Sequence, residues 1–249
     1  MLGGTSEAAA FAEALGSRGD ADVTTSLAGR TRRPRALPGT VRIGGFGGVD
    51  GLAAYLRDEH VSALIDATHP FAAEISAHAV VAAERAGIPR LVLSRPEWTL
   101  TAGDRWTEVG NLSAAADVLR TEFADCRVFL ALGSGGLAPF VDIAERCVVR
   151  LAEPPAGNPL PGSVVIVDRG PFREGDDAAL LMEHRIGVVV SKNAGGAAAY
   201  AKIAAARSLA LPVVMVARPP APPGPTVTSV DDAVRWLDGV LAGASASAR

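Results

Sequence analysis

The sequence predicts an α/β protein of two Rossmann-like domains with mainly parallel sheets and a cofactor/substrate cleft between them. Three observations predict it. Short β-rich runs alternate with alanine-rich helical stretches, the pattern of βαβ units. The length of 249 residues suits two small domains. An irregular, proline-containing connector at 96–104 interrupts the alternation, which sets residues 1–96 apart as a cofactor domain and 97–249 as a substrate domain.

The elements follow in order. A helix at 7–17 opens directly after Gly3-Gly4. Strands are expected at 23–27 and 41–43, then a helix at 49–59 with Leu52, Ala53 and Leu56 at helical spacing. A buried strand at 63–65, a helix at 71–86 and a strand at 90–93 close the first half. In the second half, strands are expected at 127–132, 148–151, 164–168, 187–190 and 212–216. Helices are expected at 176–184, 195–209 and 230–241, with the tail from Ala242 outside the last one. The run Leu91 to Pro96, with its preceding helix, is echoed by Val214 to Pro219 and the helix before it. One element is short: only Met1 and Leu2 precede the glycine loop, where a central parallel strand of about five residues belongs. Either the start is placed too late or that strand is a stub.

Composition removes several function classes. Hydrophobic residues make up 49% and charged residues 20%, enough apolar content for real cores and too few charges for a disordered chain. A net charge of −3 argues against a nucleic-acid partner. No apolar run reaches the roughly 18 residues of a membrane span, and no signal peptide is evident. A cytoplasmic monomer is expected. Cys126 and Cys147 read as free, buried thiols, and the four histidines share no ligand spacing, so no metal is expected. Of 24 basic residues only Lys192 and Lys202 are lysine, and both fall in one loop–helix unit.

The candidate functional residues lie at strand ends, where parallel sheets take ligands. Gly3-Gly4-Thr5 opens a helix, and its backbone N–H groups with the helix dipole favour a phosphate, although the Gly-x-Gly-x-x-Gly fingerprint is incomplete. After the next strand comes Ser26-Leu27-Ala28-Gly29-Arg30-Thr31, with no acid to hold a ribose 2′-hydroxyl and an arginine to hold a 2′-phosphate. That favours NADPH over NADH. Four glycines surround Phe46 in Gly44-Gly45-Phe46-Gly47-Gly48, a backbone suited to close approach by something flat. Asp66-Ala67-Thr68-His69-Pro70-Phe71 follows at the same edge, and His69 could either donate a proton or cap the next helix. In the second half, Lys192-Asn193-Ala194-Gly195, Lys202, Arg169 and Arg218 cluster near strand ends and point to a polyanionic ligand; ordinary surface charge is the plain alternative.

Together these segments resemble the precorrin-6A reductase family of cobalamin biosynthesis. The resemblance rests on Gly-Gly-Thr-Ser-Glu, Ser-Leu-Ala-Gly-Arg, Arg-Ile-Gly-Gly-Phe-Gly-Gly, Asp-Ala-Thr-His-Pro-Phe-Ala, Ser-Lys-Asn-Ala-Gly-Gly and Val-Met-Val-Ala-Arg-Pro, from Gly3 to about Trp236. It implies NADPH-dependent reduction of one double bond in precorrin-6A, giving precorrin-6B. By resemblance Gly3, Gly4, Thr5, Ser26, Arg30 and Thr31 hold NADPH, with Gly45, Phe46, Gly47, Thr68, His69 and Pro70 by the nicotinamide. Arg169, Lys192, Asn193, Gly195, Lys202 and Arg218 would face a polycarboxylate tetrapyrrole. Two other readings stand beside it. A short-chain reductase needs Tyr-x-x-x-Lys, but Glu59 follows Tyr55 and Ala204 follows Tyr200 at that spacing. A nucleotide-sensing module has no use for a second, cationic edge.

Overall fold

A single residue joins the two halves of the first sheet. The structure, a computed structural model, describes residues 1–29 and 36–247. Leu2 bridges in parallel to Ser26 on one side and to Asp66 on the other. Beyond Ser26 run β1 (Thr24–Leu27) and β2 (Thr40–Ile43). Beyond Asp66 run β3 (Leu64–Asp66), β4 (Arg90–Leu93) and β11 (Thr226–Val227). The Leu2 N–H donates to the Ile65 carbonyl at 2.8 Å, and the Leu2 carbonyl accepts from Ala67 at 2.9 Å. The Met1 ammonium donates to the Thr24 carbonyl at 2.7 Å, where a strand amide would stand. Burial pushes this amine down from 8.0 to about 6.

Alternating side chains of the sheet feed two apolar layers, which explains why Leu64-Ile65 and Leu91-Val92-Leu93 read as continuous hydrophobic runs. On one face α1 (Ser6–Leu15) and α7 (Val230–Ser247) pack Phe11, Leu15, Ala233 and Leu237 against Ile65, Leu91 and Leu93. On the other, α2 (Gly48–Asp58) and α3 (Ala73–Ala86) pack Leu52, Leu56, Ala79 and Ala82 against Leu2 and Leu64. Each large side chain buried this way contributes roughly 1.5–3 kcal/mol.

The second sheet has six strands, all pairs parallel, in the order β5 (Trp106–Val109), β10 (Val213–Val216), β9 (Val188–Lys192), β6 (Val128–Ala131), β7 (Cys147–Leu151), β8 (Val164–Val167). Three α-helices accompany it: α4 (Leu112–Thr121), α5 (Glu174–Glu183) and α6 (Ala201–Ser208). A 3₁₀ helix spans Ala138–Arg146. Phe129, Val148, Val189, Met215 and Ile203 form its core. Cys126 and Cys147 are free thiols, and burial pushes Cys147 up to about 11. Among the described residues no helix is long and apolar enough to cross a membrane.

Several elements differ from expectation, each for a local reason. β5 and α4 lie beyond the expected connector, where no element was expected; β5 is an edge strand, and α4 is capped by Asn111, whose side chain accepts the Ala114 N–H at 2.9 Å. α6 begins at Ala201, because Gly195 and Gly196 hold left-handed φ values of 70° and 72°. α7 continues through Ser247 where the tail was expected to leave the helix.

The chain divides into two compact units, Met1–Pro96 with Pro219–Arg249, and Glu97–Arg218. The first crossing falls at the expected boundary. The expectation carried the second domain to 249, but the last segment belongs with the first unit. There β11 pairs with β4, and α7 supplies Ala233 and Leu237 to the first core. The sequence echo marks both crossings, since Arg95-Pro96 and Arg218-Pro219 are where the chain passes from one unit to the other.

Candidate functional site

In the first sheet the chain runs outward from Leu2 to β1 and β2, then returns to β3 on the other side. The order reverses between Leu2 and β3, and the crevice above such a switch point is where doubly wound sheets take ligands. The loops flanking it are Gly3-Gly4-Thr5 and Asp66 to Pro70.

Three strand-end loops are tied into one edge here. Thr5 caps α1 by accepting the Ala8 N–H at 3.1 Å, and its hydroxyl donates to the Ala67 carbonyl at 2.7 Å. Gly3 N–H donates to the Ser26 carbonyl at 2.9 Å. Arg42 joins the third loop to them: it donates to the carbonyls of Gly44 and Gly45, both at 2.7 Å, and to Ser26 Oγ at 3.4 Å. Its guanidinium lies 3.8 Å from the Phe46 ring centroid, and Tyr55 meets Phe46 edge-on at 5.2 Å. Gly47 then starts α2 at φ 78°, a left-handed value that favours glycine. Gly3, Gly4, Thr5, Ser26, Gly45, Phe46 and Gly47 thus share one edge with Thr68, His69 and Pro70. Arg30 and Thr31 lie outside the described residues.

The Thr68 N–H and hydroxyl both donate to Asp66 Oδ1, at 3.2 and 2.8 Å. His69 Nδ1 accepts the Phe71 N–H at 3.2 Å, so the neutral ring carries its proton on Nε2. This bond closes the turn before α3, whose N-cap Ala72 receives no side-chain cap, so the histidine does not cap the helix, and Nε2–H is the group that would donate a proton. Glu7, in the first turn of α1, would oppose a phosphate at that helix end. Arg95 Nη1 stands 2.9 Å from Glu7 Oε2, both side chains largely buried, and offsets its charge. Neither Arg42 nor Arg95 was among the expected site residues.

The second sheet has its own switch point, between β6 and β9. The glycine loop 133–136 and the loop 192–196 flank it, and a Cβ placed on Gly136 would lie 3.9 Å from Lys192 Nζ. Lys192 and Gly195 stand here. Arg218 follows β10, the neighbouring strand. Arg169 follows β8, three strands from β9, or about 14 Å away at normal strand spacing. It is exposed, 4.0 Å from Glu153. Asn193 and Lys202 differ from the others: they are 3% and 4% exposed. The Asn193 amide is engaged with the backbone of Trp98, and the Lys202 ammonium donates to the Ala199 carbonyl at 2.6 Å and lies 4.8 Å from the Trp98 ring. Arg150 is buried below Phe172 at 3.9 Å and paired with buried Asp177. Among the described residues no three His, Cys, Asp or Glu side chains gather where they could hold a metal ion.

Two parallel sheets, one with a glycine-lined crevice at its switch point and one with a cationic strand-end edge, define a Rossmann-type α/β protein. The precorrin-6x reductase CbiJ/CobK family matches residues 1–238, and the chain belongs to it. The precorrin-6A reductase of Rhodococcus erythropolis is 46% identical over 239 residues, which cover 95% of this chain and 96% of the relative. The cobalt-precorrin-6A reductase of Priestia megaterium is 28% identical over 95% of this chain and 96% of its own length. The solved structure named CobK precorrin-6A reductase is similar at a TM-score of 0.89 and 45% identity, covering 96% of this chain and 95% of that one.

Proposed function

We propose that the chain reduces one double bond of precorrin-6A with NADPH, giving precorrin-6B in cobalamin biosynthesis. Family membership supports a precorrin reductase. The relative named for precorrin-6A is 46% identical and the one named for cobalt-precorrin-6A 28%, which favours the metal-free macrocycle.

The observation that carries the reading is the first crevice. A Cβ at Gly4, Gly44, Gly45, Gly47 or Gly48 would meet nothing within 4 Å, so a ligand has room to lie against that backbone. The residues present therefore fit a dinucleotide. Gly3, Gly4 and Thr5 would hold its pyrophosphate at the α1 N-terminus. Ser26, Arg30 and Thr31 would hold the adenosine ribose and its 2′-phosphate. Gly45, Phe46, Gly47, Thr68 and Pro70 would line the nicotinamide side. When bound, NADPH supplies the hydride. His69 holds on Nε2 the proton for the adjacent carbon. In the second unit Arg169, Lys192 and Arg218 supply charge to the substrate carboxylates and Gly195 gives backbone access, while Asn193 and Lys202 hold the loop that carries them.

Anaerobic incubation of the protein with precorrin-6A and NADPH tests this. The expected result is NADPH oxidation matched by reduction of the macrocycle; no oxidation overturns the reading. Arg30→Ala should raise KM for NADPH by roughly 10–100-fold, the scale of one charge-assisted hydrogen bond, and leave NADH nearly unaffected. Equal losses for both cofactors would remove Arg30 from the 2′-phosphate.

A further inference from the structure

One loop of the second unit is fastened to both ends of that unit. Trp98 is the second residue of the stretch Glu97–Arg218, and Arg218 is its last. Between them lies the loop 193–196 that follows β9. The Trp98 N–H donates to Asn193 Oδ1 at 2.9 Å, and Asn193 Nδ2 donates to the Trp98 carbonyl at 3.0 Å. The carboxamide thus pairs with the Trp98 backbone as a strand neighbour would. The indole Nε1–H donates to the Gly196 carbonyl at 2.7 Å. From the other end, Arg218 donates to the carbonyls of Asn193 at 3.4 Å and Ala194 at 3.1 Å, and lies 3.8 Å from the Glu97 carboxylate.

The rest of the surroundings fix the indole. Trp98 is 8% exposed, with Tyr200 at 5.7 Å between ring centroids and the Lys202 ammonium 4.8 Å from its ring. The loop itself has little stiffness of its own. Gly195 and Gly196 are both left-handed, and glycine is the residue least restricted in its backbone. Lys192 ends β9 and is held by its pairing with Val216, whereas what holds Gly195 at the switch point is the clasp around Trp98.

We propose that Trp98 and Asn193 are positioning residues for the macrocycle: they fix the loop that presents Gly195 and follows directly on Lys192, without touching the ligand. This rests on the precorrin-6A reading of the site. It separates two roles that residue type alone merges, since a lysine and an asparagine near a strand end look alike as ligand contacts. It also predicts that the Trp98 indole N–H, bonded to the loop, senses occupancy.

The test combines kinetics with a spectroscopic readout. Trp98→Phe keeps a ring and removes the Nε1 donor; Asn193→Asp keeps the shape and sets a carboxylate oxygen against the Trp98 carbonyl. Each should raise KM for precorrin-6A about tenfold or more, the scale of one lost hydrogen bond, with KM for NADPH within about twofold of wild type. In ¹H–¹⁵N spectra of the wild-type protein, the Trp98 indole resonance should move on addition of precorrin-6A and stay in place with NADPH alone. Its assignment comes from the Trp106→Phe and Trp236→Phe spectra, so it does not depend on the Trp98 variant folding. Wild-type protein that fails to turn over precorrin-6A overturns both the function and this role. Normal wild-type turnover with an unmoved indole resonance, or with variants that lose stability while both KM values stay unchanged, overturns the positioning role alone.

Discussion

The two units build their strand-end edges from different material. In the first, the edge is backbone. Glycines at 4, 44, 45, 47 and 48 leave open space beside the backbone, and the side chains of Thr5 and Arg42 bind loop to loop. In the second, the edge is side chain: Lys192, Arg218 and Arg169 at strand ends, with Arg150 buried beneath. The difference follows from what each is proposed to hold. A pyrophosphate and flat rings need close approach to amides, whereas scattered carboxylates need charge. An edge of backbone fails when atoms are added, and an edge of side chains fails when atoms are removed.

The largest expected effect breaks the second edge by removal. Asp177→Ala leaves the Arg150 guanidinium, 5% exposed, without its buried partner. Losing one partner of a buried pair costs about 3–5 kcal/mol, to be read as a shift of the urea midpoint. A loss below about 1 kcal/mol would show that Phe129, Phe172 and the Asp168 carboxylate, 3.9 Å away, hold Arg150 well enough without it.

The next effect is a pH dependence in the spine of the first sheet. Burial favours the neutral Met1 amine, with its pKa lowered from 8.0 to about 6. Between these values the unfolded chain binds a proton that the folded chain refuses. With Met1 as the terminal residue, stability should therefore fall as pH drops from 8 to 6, by on the order of 3 kcal/mol at most, and this contribution should level off below. A residue added ahead of Met1 replaces the amine by an amide, and a cavity of about 490 Å³ lined by Met1, Val23, Thr24, Ala63 and Leu64 gives it room. Unfolding curves of that protein should lose this slope; an unchanged slope would assign it to another group.

The smallest of the three breaks the first edge by addition. On Gly51 of α2 a Cβ would stand 1.7 Å from the Phe46 carbonyl oxygen, so Gly51→Ala must push the Phe46 loop away. Overpacking of this kind costs about 1–3 kcal/mol. KM for NADPH should rise with it while KM for precorrin-6A changes little. If both rise together, the two edges are less independent than their construction implies.

Much of this was legible in the sequence, and the limits have physical causes. The ends of β1 and β2 are readable from their β-branched residues, and β4 from a short apolar run between Pro89 and Pro96. The first crevice is readable because its glycines are adjacent in sequence, which brings Gly3 to Thr5 and Gly44 to Gly48 to notice without any knowledge of the fold. Arg95 and Trp98 were invisible because their partners, Glu7 and Asn193, stand 88 and 95 residues away. Arg42 was passed over because its partners are mostly carbonyls, which have no sequence signature. Lys202 shows how residue type and surroundings can point to different roles. A rare lysine looked functional, and its surroundings give a packing reason: a compact ammonium fits between the Ala199 carbonyl and the Trp98 ring, where a planar guanidinium would need more space.

The split of the first unit across the chain sets an order of events during synthesis. Residues 97–218 form a continuous unit whose sheet is complete once β10 has left the ribosome. The first unit cannot finish then, because β11 and half of the α1–α7 layer are still to be made. Its early strands wait with Ile65, Leu91 and Leu93 covered by α1 alone, leaving the kind of exposed apolar surface that chaperones recognise. The first unit is thus completed only by the segment that follows the whole of the second.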